Sequence, residues 1–354
     1  MGATIHINNR PIGNGHPVYV IAELSANHGQ SFERCVELIA AAKFAGVDAI
    51  KLQTYTADTI TIDCSNQYFQ INQGTSWDGR SLHGLYHEAH TPWEWQPRLK
   101  QIANEWRLEL FSSPFDVTAV DFLELMEVPA YKVASFELVD TPLLERIGRT
   151  KKPVIMSTGM ATREEIELAM ETLRLAGTDE LALLKCTSAY PAPAKSMNLR
   201  TICEMSNVFD VPVGLSDHML SPEATIASVA LGASIIEKHL TLRRSDGGPD
   251  AAFSLEPAEF ASLVQAIRTT EEALGTVHFG PTTFDSPNRA FRKSLFVVCD
   301  IPAGERLTNQ NVRSIRPGYG LEPRYFSDIL GKFAKNAIVR GTPLSWDLIQ
   351  DQPL

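Results

Sequence analysis

Short apolar runs, each ending abruptly in polar groups, recur through the first three quarters of the chain. The β-prone runs are 18–22, 49–53, 108–112, 130–133, 154–157, 182–186, 213–216 and 234–238. Between them lie stretches with apolar residues three and four apart, among them 32–45, 92–105, 163–175, 222–231 and 257–274, which predict amphipathic helices. Strands that alternate with helices in this way form a parallel α/β sheet, and eight of them predict a closed (β/α)8 barrel over residues 1–275. In such a barrel the carboxyl ends of the strands deliver their side chains to one face, where active sites are built.

Two segments break the rhythm. Residues 54–91 are too long for an ordinary strand-to-helix loop and carry Tyr55, Tyr68, Phe69, Trp77 and Tyr86, so they predict an excursion over the barrel mouth that serves as a lid or holds its own satellite core. Residues 276–290, rich in Gly, Pro, Thr and Ser and without periodicity, read as a linker. Beyond it, 291–354 predicts a compact module of short strands and turns. A core of that size is marginal alone, so the module is expected to dock on the barrel or on a partner subunit.

The strand ends carry the candidate chemistry: Glu23, Lys51 with Gln53, Ser113, Lys132 with Ser135, Ser157, Lys185 with Ser188, Ser216 with His218, and Glu237 with His239. His218 and His239 would stand at the mouths of neighbouring strands, where two neutral imidazoles could hold a catalytic divalent ion with open positions for substrate oxygens and water. Lys51 and Lys132, with the hydroxyls around them, form an anion cradle suited to a phosphate and a carboxylate on a small substrate. Each residue alone also has a structural explanation: a serine turn, a hydrogen-bonded histidine, or a salt bridge from Glu23 to Lys51. A lysine aimed into a barrel mouth is harder to explain away, because it must find an anionic partner or lose its charge. Glu23 could position a water or transfer a proton. Asp250, in a Gly-Gly-Pro-Asp loop, could bind substrate hydroxyls or act as an acid or base, and Arg316, framed by turns, could bind substrate.

The chain has 354 residues and a net charge of -10, with no Lys/Arg-rich block, which argues against a nucleic-acid or anionic-membrane surface. The five cysteines, Cys35, Cys64, Cys186, Cys203 and Cys299, are widely spaced and predict neither a disulfide framework nor a zinc knuckle. No apolar stretch approaches the roughly 18 residues of a membrane span, and the polar start lacks a signal-peptide pattern. Met1-Gly2 suggests myristoylation only weakly, because His6 occupies the position where Ser or Thr is wanted. A cytoplasmic protein is expected.

Taken together, these motifs resemble the sialic acid synthase family across essentially the whole chain. The resemblance rests on Ile21-Ala-Glu-Leu-Ser-Ala-Asn-His28, Lys51-Leu-Gln-Thr54, Phe111-Ser-Ser-Pro-Phe115, Tyr131-Lys-Val-Ala-Ser135, Leu184-Lys-Cys-Thr-Ser-Ala-Tyr-Pro191, Gly214-Leu-Ser-Asp-His218, Glu237-Lys-His239 and Gly248-Pro-Asp250. The tail is similar to the antifreeze-like (SAF) domain of that family through Ser294-Leu-Phe-Val-Val298 and Arg316-Pro-Gly318. The family condenses phosphoenolpyruvate with an open-chain acetamido sugar. The runs Lys51-Leu-Gln-Thr-Tyr-Thr-Ala-Asp-Thr59, Leu85-Tyr-His-Glu-Ala-His-Thr-Pro-Trp-Glu-Trp95, Asp250-Ala-Ala-Phe-Ser-Leu-Glu-Pro257 and Ser345-Trp-Asp-Leu348 resemble the branch whose acceptor is 2,4-diacetamido-2,4,6-trideoxy-L-altrose.

By this resemblance His218 and His239 ligate manganese, or magnesium or cobalt, which polarises the sugar aldehyde. Lys51, Ser113, Lys132, Ser135, Ser157 and Ser216 hold phosphoenolpyruvate, and Gln53, Tyr190 and Asp250 lie near the sugar. Glu23 stabilises an oxocarbenium or steers the water that traps it. Arg316 reaches into the partner subunit's site of a domain-swapped homodimer. Ser188 and Ala189 depart from the neuraminate-making members, which carry Asn and a bulkier apolar residue there. A sibling acting on the neuraminate or legionaminate precursor is the alternative within the family. Outside it stand a metal-dependent aldolase and, least favoured, a non-catalytic carbohydrate binder.

Overall fold

The computed structural model describes residues 3–74 and 77–353; the Met1-Gly2 start, positions 75 and 76 of the long excursion and the last residue of the tail lie outside the described residues. The chain divides into two compact units, Met1–Gly275 and Thr276–Leu354.

The first unit opens with a hairpin, β1 (Thr4–Ile7) and β2 (Arg10–Gly13). Eight parallel strands follow: β3 (Tyr19–Glu23), β4 (Ala49–Thr54), β5 (Glu109–Pro114), β6 (Tyr131–Val133), β7 (Val154–Ser157), β8 (Leu181–Cys186), β9 (Val213–Asp217) and β10 (Ile235–His239). They close into a barrel in sequence order, with β10 pairing back onto β3. The strands are almost wholly buried because helices cover their outer faces, which is why they read as apolar runs and not as alternating ones.

The register places the site. His239 pairs with Glu23, and Glu23 with Lys51; Gln53 pairs with Ser113, and Glu237 with Ser216. Paired residues of parallel strands share a face, and side chains alternate along each strand. One rule therefore turns Glu237 and His239 to the same side and sends Lys238 to the other. Lys238 forms a buried ion pair with Asp217 at 2.7 Å, and Asp217 also accepts from Thr225 Oγ1 in the helix Glu223–Ala230.

The opening hairpin seats Ile5, Ile7 and Ile12 in the barrel's core, and its polar groups meet residues at or just before the starts of strands: Arg10 with Asp48, Asn8 with Glu109 and His6 with Glu180. It lies at the end away from the histidines. The excursion after β4 contains the helices Ala57–Ile60 and Leu82–Ala89, and an aromatic cluster in which Tyr55 meets the rings of Tyr86 and Phe115. Trp77 Nε1 donates to Pro249 O at 3.0 Å, beside Asp250, so part of the excursion reaches the barrel mouth. No helix among the described residues is long and apolar enough to cross a membrane.

The second unit begins with the 3-10 turn Ser286–Phe291, followed by β11 (Ser294–Val297), β12 (Val312–Ile315), β13 (Phe333–Ala334) and β14 (Ile349–Gln350). Leu295, Val297, Ile301, Leu307, Val312, Ile329 and Leu344 form its own small core. The loop after β12 is pinned back onto β11. Ser294 Oγ donates to Pro317 O at 2.6 Å and accepts from Gly320 N–H at 2.9 Å, and a β-carbon on Gly320 would stand 2.2 Å from Leu295 O. Arg316 is exposed on this framed loop.

Candidate active site

The carboxyl ends of the barrel strands converge on a cluster of buried ionisable groups. Lys51 Nζ lies 2.8 Å from Glu23 Oε2 and 3.0 Å from Glu237 Oε2, and Lys132 Nζ lies 3.9 Å from the same Glu237 oxygen. All four side chains are nearly closed to solvent. Burial pushes Lys51 down to about 8, with Glu237 resisting that shift and Lys132 adding to it. For Glu237, burial alone would raise the carboxyl, but Lys132, Lys51 and the Ser216 hydroxyl outweigh it and hold it well below the usual range. Two carboxylates buried beside the two lysines offset the cost of burying positive charge.

Hydroxyls surround the cluster. Lys132 Nζ donates to Ser157 Oγ at 2.7 Å and to Val133 O at 3.0 Å, and Ser216 Oγ donates to Glu237 Oε1 at 2.8 Å. The Ser135 and Ser188 hydroxyls meet at 3.1 Å. Gly159, at φ 43°, allows that meeting: a β-carbon there would lie 2.4 Å from Ser135 Cβ and 2.8 Å from Ser188 Oγ. Ser113 Oγ is buried without a hydrogen-bond partner among the described residues, as is Oε2 of Glu137 on the 3-10 turn after β6.

A second group sits beside the first. His218 and His239 lie with ring centroids 5.5 Å apart, the Tyr190 ring lies tilted 4.4 Å from His218, and Phe253 closes on all three rings. Burial lowers both histidines, His239 most strongly because His218 also opposes its charge, so both rings are neutral. His218 Nδ1 lies 3.0 Å from Thr187 O, which makes it the protonated nitrogen and leaves Nε2 as a lone pair. His239 Nδ1 is buried with no hydrogen-bond partner among the described residues. Two neutral imidazoles with an orphaned nitrogen and a carbonyl-fixed tautomer fit a divalent cation. Among the described residues no set of three His, Cys, Asp or Glu completes a metal cage, so further ligand positions would fall to water or substrate oxygens.

The third group is polar. Gln53 Nε2 donates to Ser25 Oγ at 3.1 Å, and Ser25 Oγ donates to Asp250 Oδ2. Burial raises the Asp250 carboxyl, against the hydrogen bonds from Ser25 and the Ala26 N–H.

The structure thus gathers Glu23, Lys51, Gln53, Ser113, Lys132, Ser135, Ser157, Ser188, Tyr190, Ser216, His218, His239 and Asp250 around the barrel mouth. Lys185 does not join them. Its Nζ donates to Cys186 O at 2.6 Å, and it lines a separate cavity of about 360 Å³ with Thr158, Asn198 and Glu204. The alternation of β8 turns it outward while Cys186 faces in. Arg316 belongs to the second unit. Sequence reasoning gave no role to Glu237, although sharing a strand face with His239 was a sufficient signal. It also overlooked Glu137 and Ser25, whose positions depend on turns after the strands.

Residues 38–279 match the NeuB family and residues 292–350 the SAF domain. The chain belongs to the NeuB family. It is 42% identical over 336 residues to the pseudaminic acid synthase of Helicobacter pylori, covering 94% of this chain and 98% of that one. It is 43% identical over 327 residues to the pseudaminic acid synthase of Campylobacter jejuni subsp. jejuni serotype O:23/36, covering 92% and 95%. Among solved structures it is similar to the N-acetylneuraminic acid synthetase of Leptospira borgpetersenii serovar Hardjo-bovis in complex with citrate. The TM-score is 0.72 at 30% identity, covering 81% of this chain and 95% of that one. Fold and family thus agree with the expectation drawn from the motifs.

Proposed function

We propose that this NeuB-family chain is a pseudaminic acid synthase, joining phosphoenolpyruvate and water to 2,4-diacetamido-2,4,6-trideoxy-β-L-altropyranose, in its open-chain form, to give pseudaminic acid and phosphate. The observation that carries the reading is the buried Lys51–Glu23–Glu237–Lys132 cluster ringed by serine hydroxyls and flanked by two neutral histidines. The relatives named above supply the choice of sugar.

In this reading Lys51, Lys132, Ser113, Ser135, Ser157 and Ser216 hold the phosphate and carboxylate of phosphoenolpyruvate, with Ser188 bonded to Ser135. The two lysines are already matched by two carboxylates, so a multiply charged substrate needs further positive charge. A divalent ion on His218 and His239, manganese or else magnesium or cobalt, would supply that charge and polarise the sugar aldehyde. Gln53, Tyr190 and Asp250 orient the sugar. The enol carbon attacks the aldehyde carbon, whose oxygen takes up a proton to become a hydroxyl, while Glu23 stabilises the oxocarbenium at the former C2 and directs the water that adds to it with loss of a proton. The tetrahedral adduct then loses phosphate by carbon–oxygen cleavage, leaving the 2-keto acid.

We assign Arg316 to the sugar end of the partner subunit's site in a domain-swapped homodimer, as the family resemblance implies, and we place the reaction in the cytoplasm. Five free cysteines are consistent with that setting.

The test is phosphate release from phosphoenolpyruvate with manganese and one sugar at a time. Release with the diacetamido altrose alone supports the proposal. Release with N-acetylmannosamine alone keeps the mechanism and changes the sugar, and release with neither returns the aldolase reading.

A further inference from the structure

Ser25 occupies an unusual place. It opens the turn Ser25–His28 one residue after β3, is 3% exposed, and has φ 42°, a left-handed conformation that a non-glycine residue adopts at a cost. No sequence feature demands that strain, since a glycine would satisfy the turn. The side chain and backbone show what a serine adds. Its N–H donates to Glu23 Oε1 at 2.9 Å, its hydroxyl donates to Asp250 Oδ2, and its hydroxyl oxygen accepts from Gln53 Nε2 at 3.1 Å. One residue therefore touches three groups that come from different strands and loops.

We infer that Ser25 is a positioning residue that sets the sugar-reading edge of the site. The inference rests on the reading of Gln53 and Asp250 as sugar-binding residues. A hydroxyl has one proton to give, and here it goes to the carboxylate. The oxygen must then accept from the Gln53 amide, which fixes that amide with its nitrogen toward Ser25. What remains for a ligand on Gln53 is its carbonyl oxygen and the second N–H of its amide, and on Asp250 the Oδ1 atom, which has no hydrogen bond among the described residues. Two of these three are acceptors. The edge held by Ser25 is complementary to donors, the hydroxyls and acetamido N–H groups that an amino sugar carries and phosphoenolpyruvate lacks.

The neighbouring contacts support the turn without reaching substrate. Asn27 Nδ2 donates to Leu240 O at 2.9 Å and to Ser254 Oγ at 2.8 Å, and Ser254 Oγ donates to Asp250 O at 2.7 Å. The loop backbone is thus held by Asn27, which leaves the Ser25 hydroxyl to aim the two side chains.

Ser25→Gly tests this, because glycine accepts φ 42° and keeps the N–H to Glu23 while removing the hydroxymethyl group that bonds Asp250 and Gln53. Steady-state kinetics with each substrate varied should show kcat/KM for the sugar falling about 10- to 100-fold, the range for losing a supporting hydrogen bond at a site. The KM for phosphoenolpyruvate should stay within about twofold and the thermal midpoint near wild type. Ser25→Ala, which keeps the β-carbon, reads the same quantity should the glycine loosen the turn. Equal losses for both substrates, or an unchanged sugar kcat/KM beside an active wild type, overturn the role of Ser25. A wild-type enzyme inactive with the sugar overturns the underlying reading of the reaction instead.

Discussion

Lys51 Nζ lies 2.8 Å from Oε2 of Glu23, and both side chains are sealed from solvent. Glu237, 3.0 Å from the same amine, makes the pair a triad, and Lys132 extends it. Removing one member of a buried ion pair leaves a charge uncompensated, at a cost of about 3–5 kcal/mol. Lys51→Met should therefore lower stability by roughly that amount in a denaturant titration. Lys51→Met together with Glu23→Gln should recover part of it, and a single variant as stable as wild type would contradict the ion-pair assignment.

Glu137 offers a pH signature. Burial pushes its carboxyl from 4.5 up to about 7, with Lys132 and Lys51 pulling the other way. Between those values the folded protein holds a proton that the unfolded chain has lost, so this residue makes stability fall as pH rises from about 4.5 to 7. Integrated over that window the effect is of the order of 3 kcal/mol. Chemical denaturation of wild type and Glu137→Gln across this range should show a difference that grows toward neutral pH in favour of Gln. A pH-independent difference would sink the assignment.

With His218 and His239 as the proposed metal ligands, His239→Ala removes one of the two and should abolish turnover while preserving the fold. Manganese binding followed by calorimetry should weaken by more than about 100-fold. Wild-type metal affinity in the variant would remove His239 from the site.

Gly159→Ala would drive a β-carbon to 2.4 Å from Ser135 Cβ at a φ of 43°. The clash and the strain together should cost about 1–3 kcal/mol. The displaced Ser135 and Ser188 hydroxyls should raise the KM for phosphoenolpyruvate more than that for the sugar; an unchanged KM would place the two hydroxyls outside the phosphate cradle.

Arg316→Ala, altering an exposed residue of the second unit, should leave the thermal midpoint untouched. It should lower sugar kcat/KM about 10-fold or more, the worth of a charged hydrogen bond. Unchanged kinetics would count against any role for the tail in catalysis.

The barrel was legible because eight buried strands show as apolar runs that recur between helical stretches and end in polar residues. Val213–Asp217 and Ile235–His239 are the plainest cases, since His218 and His239 lie where the apolar run stops. The opening hairpin was not legible: Thr4–Ile7 and Arg10–Gly13 are too short for periodicity to register. The helices Val117–Leu125, Thr141–Gly148 and Thr201–Phe209 fall between strands as the alternation predicts, although their bounds were not drawn from the sequence. Within the site, Lys51 and Lys132 were visible as cations at strand ends; the i, i+2 spacing of Glu237 and His239 put both on one face, but only the folded barrel shows both lysines converging on Glu237. Lys185 misled for the complementary reason: a strand end fixes which end of the barrel a residue occupies, and only its parity along the strand decides whether it faces in.

Acceptor choice and reaction can be read in one competition. Equimolar 2,4-diacetamido-2,4,6-trideoxy-L-altrose and N-acetylmannosamine, competing for limiting phosphoenolpyruvate with manganese present, would be resolved by product mass against total phosphate released. The account predicts one nonulosonic acid bearing two acetamido groups, in a one-to-one ratio with phosphate. A product derived from N-acetylmannosamine, or phosphate released without any nine-carbon acid, would contradict it.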